Sequence, residues 1–152
     1  MEDSAKRPGY LLAVLGNKCP RCREGFIYQE PSSYKLRSIV KMAEKCPVCD
    51  QPTEIEVGFY YGTGYVSYAL SVVLCVVSCL LWWLFIGFSF EDDRFLLWLI
   101  LNSVFLIVIQ PPMMRLSRTL WLSCFVKYDP DWKLHKPDDH LDRIIPEQMG
   151  NW

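Results

Sequence analysis

Polar and apolar positions alternate along this chain in long blocks. The first 56 residues mix charged, polar and apolar side chains, and residues 57–90 then carry no charge. A second uncharged block covers residues 95–114, and charge returns at Arg115. Residues 65–88 would span about 36 Å as a helix at ~1.5 Å per residue, against a hydrocarbon core of ~30 Å. So small a chain has too little else to wrap around such a segment, so it reads as a membrane span. The second block ends at Pro111-Pro112. A helix stopping at Gln110 would be short for a span, so the prolines are expected to kink its inner end rather than lie beyond it. The pattern predicts a two-helix transmembrane hairpin over 58–114, with spans at about 65–88 and 95–112.

Beyond the prolines the period is helical. Arg115, Arg118 and Thr119 share one face, while Leu116, Leu120, Trp121, Cys124 and Phe125 lie largely on the other. This predicts an interfacial amphipathic helix over 113–128, apolar side in the acyl boundary and arginines among phosphates. Arg115 and Arg118 are candidates for an anion or partner site, and they also read as snorkelling anchors. Tyr60, Tyr61, Tyr65 and Tyr68 suggest an aromatic belt at the first span. The spacing of Gly58 to Gly62 and of Thr63 to Ser67 fits either close helix packing or a loose linker.

In the head, residues 1–57, the pattern is weaker. Short strands are expected at 26–28 and 53–57. A short helix capped by Ser32 or Ser33 is expected to carry Leu36, Ile39, Val40 and Ala43 on one face. The apolar patch at 11–15 predicts one or two helical turns covering the head or lying on lipid. It is too short for the hydrophobic region of a cleaved signal peptide, so no processing is expected. From Asp129 onward charge alternates with prolines, which reads as a mobile tail over 129–152 with a short helix near 141–145.

A head this small needs a metal, disulfides or a partner to hold it. Cys19-Pro20-Arg21-Cys22 and Cys46-Pro47-Val48-Cys49 supply the first. Each CxxC pair sets two sulfurs on one tight turn, and two such turns close a tetrahedral shell. Cys19, Cys22, Cys46 and Cys49 are therefore the expected metal ligands. Four thiolates suit zinc, with iron less favoured, and leave no open position for substrate. Lys18, Arg21, Arg23 and Lys45 lie beside the ligands. They either offset the thiolate charge or are ordinary solvated residues.

Charge distribution sets orientation. Of 16 Lys and Arg, only Arg94 falls between the two uncharged blocks, beside three acids. The positive-inside rule places the head and both termini in the cytoplasm. That compartment is reducing, which favours thiolates over disulfides. Cys75 and Cys79 read as small packing residues of the first span, and His135 and His140 have no partner at usable spacing. The chain shows no nucleophile–base pair, phosphate loop or intramembrane acid, so no enzymatic activity is expected. No nucleic-acid partner is expected either.

The order CPxC, CPVC, GFYYGTGYVSYAL, PPMMRLSRTLWL and FVKYDP resembles a bacterial membrane family catalogued as domain-of-unknown-function family nine-eight-three. The likeness runs from Cys19 to about Pro130. It implies a zinc-ribbon head on two transmembrane helices in the bacterial inner membrane. The family pattern has glycine after the second cysteine of each knuckle, where this chain has Arg23 and Asp50, so a somewhat different first knuckle is expected. Two roles follow. One is a non-enzymatic adaptor whose ribbon binds a cytoplasmic or membrane partner. The alternative, implied by relatives near terminal-oxidase assembly genes, is an assembly or metal-handling factor for a respiratory complex.

Overall fold

The computed structural model describes residues 8–87 and 93–137. Glu91 and Asp92, His140 and the helix expected near 141–145 lie outside the described residues. Among the described residues three α-helices run in chain order: α1 (Tyr10–Leu15), α2 (Thr63–Phe85) and α3 (Arg94–Phe125). Single 3-10 turns stand at Leu36–Ser38 and Phe59–Gly62.

Helices α2 and α3 pack side by side as a hairpin, each long and apolar enough to cross a membrane. Their apolar side chains face outward; Leu84 is 73% exposed, Phe85 78% and Ile107 73%. Protein leaves about half or more of these side chains uncovered, and leaving that surface in water would be unfavourable along the whole hairpin. Halfway along, α2 and α3 share a polar clasp. Ser78 Oγ lies 2.8 Å from Asn102 Oδ1, and Asn102 Nδ2 donates toward Cys75 Sγ at 3.5 Å. Asn102 carries no charge and breaks no hydrophobic period, so the pattern of the sequence does not single it out.

The separate interfacial helix expected over 113–128 does not form. α3 continues through Pro111 and Pro112 to Phe125 as one helix of 32 residues, about 48 Å at ~1.5 Å per residue. Proline removes the N–H that would bond the carbonyl four residues back, so Ile107 and Val108 each lose an intrahelical partner. Tertiary contacts beyond the break keep the helix going: Arg115, Thr119 and Leu122 are all buried against the head. The face assignment also reverses. Arg115 faces the protein interior rather than phosphates, and Trp121 packs on Gly62, where an added Cβ would fall 2.3 Å from the indole. Trp121 Nε1 donates to the Phe59 carbonyl at 2.8 Å. Gly62 thus serves close packing, while Gly58, at φ 75°, caps the 3-10 turn in the left-handed region. Tyr61, Tyr65 and Tyr68 are exposed as a belt requires, but Tyr60 belongs to the head core.

The head has ribbon-like pairing without strands among the described residues. Isolated antiparallel bridges replace the strands expected at 26–28 and 53–57: Lys18 with Phe26, Tyr28 with Met42, and Lys45 with Pro52. The first and third bridges each close one cysteine turn, and the second joins the two halves. Instead of a helix carrying Leu36 to Ala43, only the 3-10 turn Leu36–Ser38 forms. The carbonyls of Ile39 and Val40 turn outward to the arginines of α3, which prevents them from closing a helical ladder. α1 ends in a Schellman arrangement with Asn17 at φ 52°. The Asn17 amide bonds the Val14 carbonyl at 3.0 Å, and the Lys18 amide bonds Ala13 at 2.9 Å. Ala13 and Val14 face inward, while Leu11, Leu12 and Leu15 stay exposed.

Candidate metal centre

The two CxxC turns are built alike. In the first, the Arg23 amide bonds the Cys19 carbonyl at 2.8 Å; in the second, the Asp50 amide bonds the Cys46 carbonyl at 3.0 Å. Arg23 and Asp50 take left-handed φ values of 60° and 54°. The position that favours glycine is therefore left-handed in both knuckles, and the first knuckle keeps the shape of the second despite its arginine. Arg23 stacks its guanidinium 3.8 Å from the Tyr128 ring centroid, a contact that favours the strained residue.

The four sulfurs lie within 4.8 Å of one another, and all four residues are buried. Cys19 and Cys49 Sγ are 3.7 Å apart, and Cys22 and Cys46 Sγ are 3.8 Å apart. A tetrahedral thiolate site with ~2.3 Å metal–sulfur bonds has sulfur–sulfur edges of about 3.8 Å, so the spacing fits a closed four-thiolate shell. It does not fit disulfides, and all four cysteines are free. The amides of Glu24 and Gly25 each point at Cys22 Sγ from 3.5 Å, as amides do around a thiolate. Gly25 is required for a steric reason: an added Cβ would sit 2.4 Å from Cys46 Sγ.

Packed so closely, the thiols share protons unequally. Hydrogen bonding from Cys19, then from Cys46 and Cys49, pulls Cys22 far below an ordinary thiol. Cys46 is pushed down to about 7, chiefly by its hydrogen bond with Cys19. Cys19 is raised by its hydrogen bonds to Cys22 and the other two sulfurs, with burial adding to the effect. Cys49 is raised as well: its hydrogen bond with Cys19 lowers it, but those with Cys22 and Cys46, together with burial, outweigh that. Two of the four sulfurs are thus drawn toward thiolate and two toward thiol, and it is the four-sulfur donor set that suits a soft or borderline cation.

The segment after α3 closes over the first knuckle, so the tail expected to be mobile from Asp129 is docked as far as His135. Arg21 is 5% exposed and donates to the Cys49 carbonyl at 3.4 Å, Asp129 Oδ2 at 3.4 Å and the His135 carbonyl at 2.8 Å. The Asp129 amide returns a bond to the Arg21 carbonyl at 3.1 Å, and His135 Nδ1 lies 3.1 Å from Asp129 Oδ2. Partial desolvation pushes the Asp129 carboxyl up, but His135, the Asp131 amide and Arg21 together hold it below the usual carboxylate range. Arg21 is thus neither plain solvated charge nor simply a counter-charge. It ties both knuckles to the segment after α3, and His135 has a partner six residues away.

Arg115 is 0% exposed and its guanidinium is directed at backbone carbonyls, not at an anion. Nε donates to Ile39 at 2.9 Å, Nη1 to Glu30 at 2.8 Å and Pro31 at 3.2 Å, and Nη2 to Ser32 at 2.7 Å. Tyr28 completes the enclosure: its hydroxyl donates to the Arg115 carbonyl at 2.8 Å, and its ring centroid lies 4.8 Å from the guanidinium carbon. Burial pushes the Tyr28 phenol up to about 12, so it stays a donor. Arg118 differs. It is half-buried, with one bond to the Val40 carbonyl at 3.0 Å and its guanidinium carbon 4.7 Å from the Tyr60 ring centroid. The expected anion pair is therefore split, with Arg115 committed to the head and Arg118 left at its edge.

No family model matches the chain, and no curated protein or solved structure matches it.

Proposed function

We propose that this protein is a membrane-anchored, non-enzymatic adaptor whose head is held by one structural zinc ion on Cys19, Cys22, Cys46 and Cys49. The observation carrying this reading is the set of four buried sulfurs at tetrahedral spacing. A shell of four protein ligands has no position for water or substrate, which favours a structural ion over a catalytic one. Zinc is the favoured ion and iron the alternative, since both accept four thiolates. Membrane residence is supported by two long helices with uncovered apolar surface, and cytoplasmic termini by the distribution of Lys and Arg. The bacterial inner membrane and membership of family nine-eight-three belong to this proposal through the motifs quoted above. The adaptor surface is the cytoplasmic head, and its partner is a membrane or cytoplasmic protein.

The test is metal analysis combined with affinity capture from mild detergent. We expect one zinc per chain, lost in a Cys19→Ser/Cys22→Ser/Cys46→Ser/Cys49→Ser variant that still inserts in membranes. Unchanged zinc in that variant would sink the site. Zinc that exchanges freely from the folded protein, with oxidase subunits among the captured partners, would favour the metal-handling role instead.

A further inference from the structure

Arg118 lies half-buried at the edge of the head. Two concavities meet at its side chain, one of about 160 Å³ between α2 and α3 and one of about 260 Å³ under the turn before α2. The first is lined by the polar side chains of Thr63, Ser67, Gln110, Ser117 and Arg118 together with Gly64 and the apolar Met114. The second is lined by Gly58, Tyr60, Tyr61 and Arg118.

Three observations define what this crevice accepts. First, Arg118 has no carboxylate within ion-pair distance among the described residues, and its one hydrogen bond uses Nη1. Nε and Nη2 remain as donors on a planar cation, the arrangement that grips two oxygens of one anion. Secondly, the Ser67 hydroxyl and the Gln110 amide have no hydrogen-bond partner among the described residues, and Gly64 borders open space. A hydroxyl, an amide and a cation with donors to spare beyond its Val40 bond and Tyr60 contact thus share one recess. Thirdly, the depth is right for a headgroup. Arg94 and Arg118 are 24 residues apart on α3, about 36 Å at ~1.5 Å per residue, against ~30 Å of hydrocarbon and ~40–45 Å including headgroups. With Arg94 at one interface, Arg118 reaches the phosphate layer of the other. Exposed Tyr61, Tyr65 and Tyr68 mark the same level.

We infer that the crevice at Arg118 binds a phosphate group, with Arg118 gripping the phosphate oxygens and Ser67 and Gln110 donating from the span side. Its source is the headgroup of an anionic membrane lipid or a soluble phosphate. The inference rests on the membrane residence proposed above, so insertion is established first by resistance to carbonate extraction. A chain that fails to insert sinks that reading and the lipid source with it, and the phosphate titration then decides alone whether the crevice binds an anion.

The full chain is reconstituted in nanodiscs of mixed phosphatidylcholine and phosphatidylglycerol, released into neutral detergent, and weighed by native mass spectrometry. In parallel, the protein in neutral detergent is titrated with inorganic phosphate. Three chains are compared: wild type, Arg118→Gln, and Gly64→Leu, which fills the recess and leaves the arginine. Wild type should retain phosphatidylglycerol over phosphatidylcholine, and each variant should lose about tenfold or more of that preference with its metal intact, the effect of losing a charge-assisted bidentate contact. Saturable binding of inorganic phosphate lost in the same variants, without lipid preference, would assign the site to a soluble phosphate. If Arg118→Gln releases the metal because the Val40 bond is needed, Gly64→Leu decides alone. Equal retention of phosphatidylglycerol in all three chains, with no saturable phosphate binding, overturns the inference.

Discussion

Arg115 is the strongest single link between the head and the hairpin, and replacing it tests how the two are joined. The Arg115→Met variant keeps most of the apolar stem but removes four hydrogen bonds to the carbonyls of Glu30, Pro31, Ser32 and Ile39. A hydrogen bond from a charged group contributes ~1.5–3 kcal/mol, and a neutral one ~1 kcal/mol. Three of the four acceptors sit in the turn at 30–32, whose residues are partly or fully exposed, so water replaces much of what they lose. Taking ~1 kcal/mol for each of those three and ~1.5–3 kcal/mol for Ile39 gives about 4.5–6 kcal/mol as an upper bound. That free energy is local to residues 29–42. It should appear as faster hydrogen exchange at the amides of Gln29 and Ala43, which bond the Lys41 and Ile27 carbonyls. Even 3 kcal/mol corresponds to exchange on the order of 100-fold faster, while amides midway along α2 and α3 should not change. Arg115→Lys should fall between, because one ammonium cannot reach acceptors spread around a guanidinium plane. Exchange at Gln29 and Ala43 within about tenfold of wild type in Arg115→Met would refute the clamp.

The other predictions concern the ligand shell, the clasp and the docked tail segment. Gly25→Ala should push Cys46 Sγ off its position and weaken metal retention against a chelator, at the ~1–3 kcal/mol typical of overpacking; wild-type retention would show that the knuckle gives way freely. Asn102→Leu should loosen the hairpin by roughly 0.6–1.7 kcal/mol, the range for interhelical hydrogen bonds in membranes, measured by denaturant titration in micelles. Because Asp129 is held below its usual pKa, its docking contribution is present above the ordinary carboxylate value of 3.8 and is lost as pH falls through the lowered one. Asp129→Asn should therefore release the 128–135 segment to protease at neutral pH, and wild type should show that release only in acid. Equal cleavage of both chains at pH 7 would contradict the Arg21–Asp129 tie.

Some of this protein was legible in one dimension because its causes are local. An uncharged run long enough for a bilayer needs only composition, and α2 and roughly the first two thirds of α3 occupy the stretches where charge is missing. Two CxxC turns set their own sulfur geometry, so Cys19, Cys22, Cys46 and Cys49 were readable as one group before any fold was known. The insert and the last third of α3 were not, because partners far apart in the chain decide them. Helical periodicity gives the faces of 113–125 but not which face meets protein. The reading that put arginines outward reversed once carbonyls at 30–40 were available to receive them. The same contacts hold the helix together past two prolines and stop 36–43 from closing a helix of its own. Arg21, an unremarkable basic residue beside a ligand, became a tie only because residues 129–135 return across more than a hundred positions. Which segments are apolar and which sulfurs group together follow from one dimension, since backbone spacing and side-chain chemistry suffice for both. Tertiary structure alone decided where each arginine spends its hydrogen bonds, because a buried guanidinium must find acceptors wherever the fold supplies them.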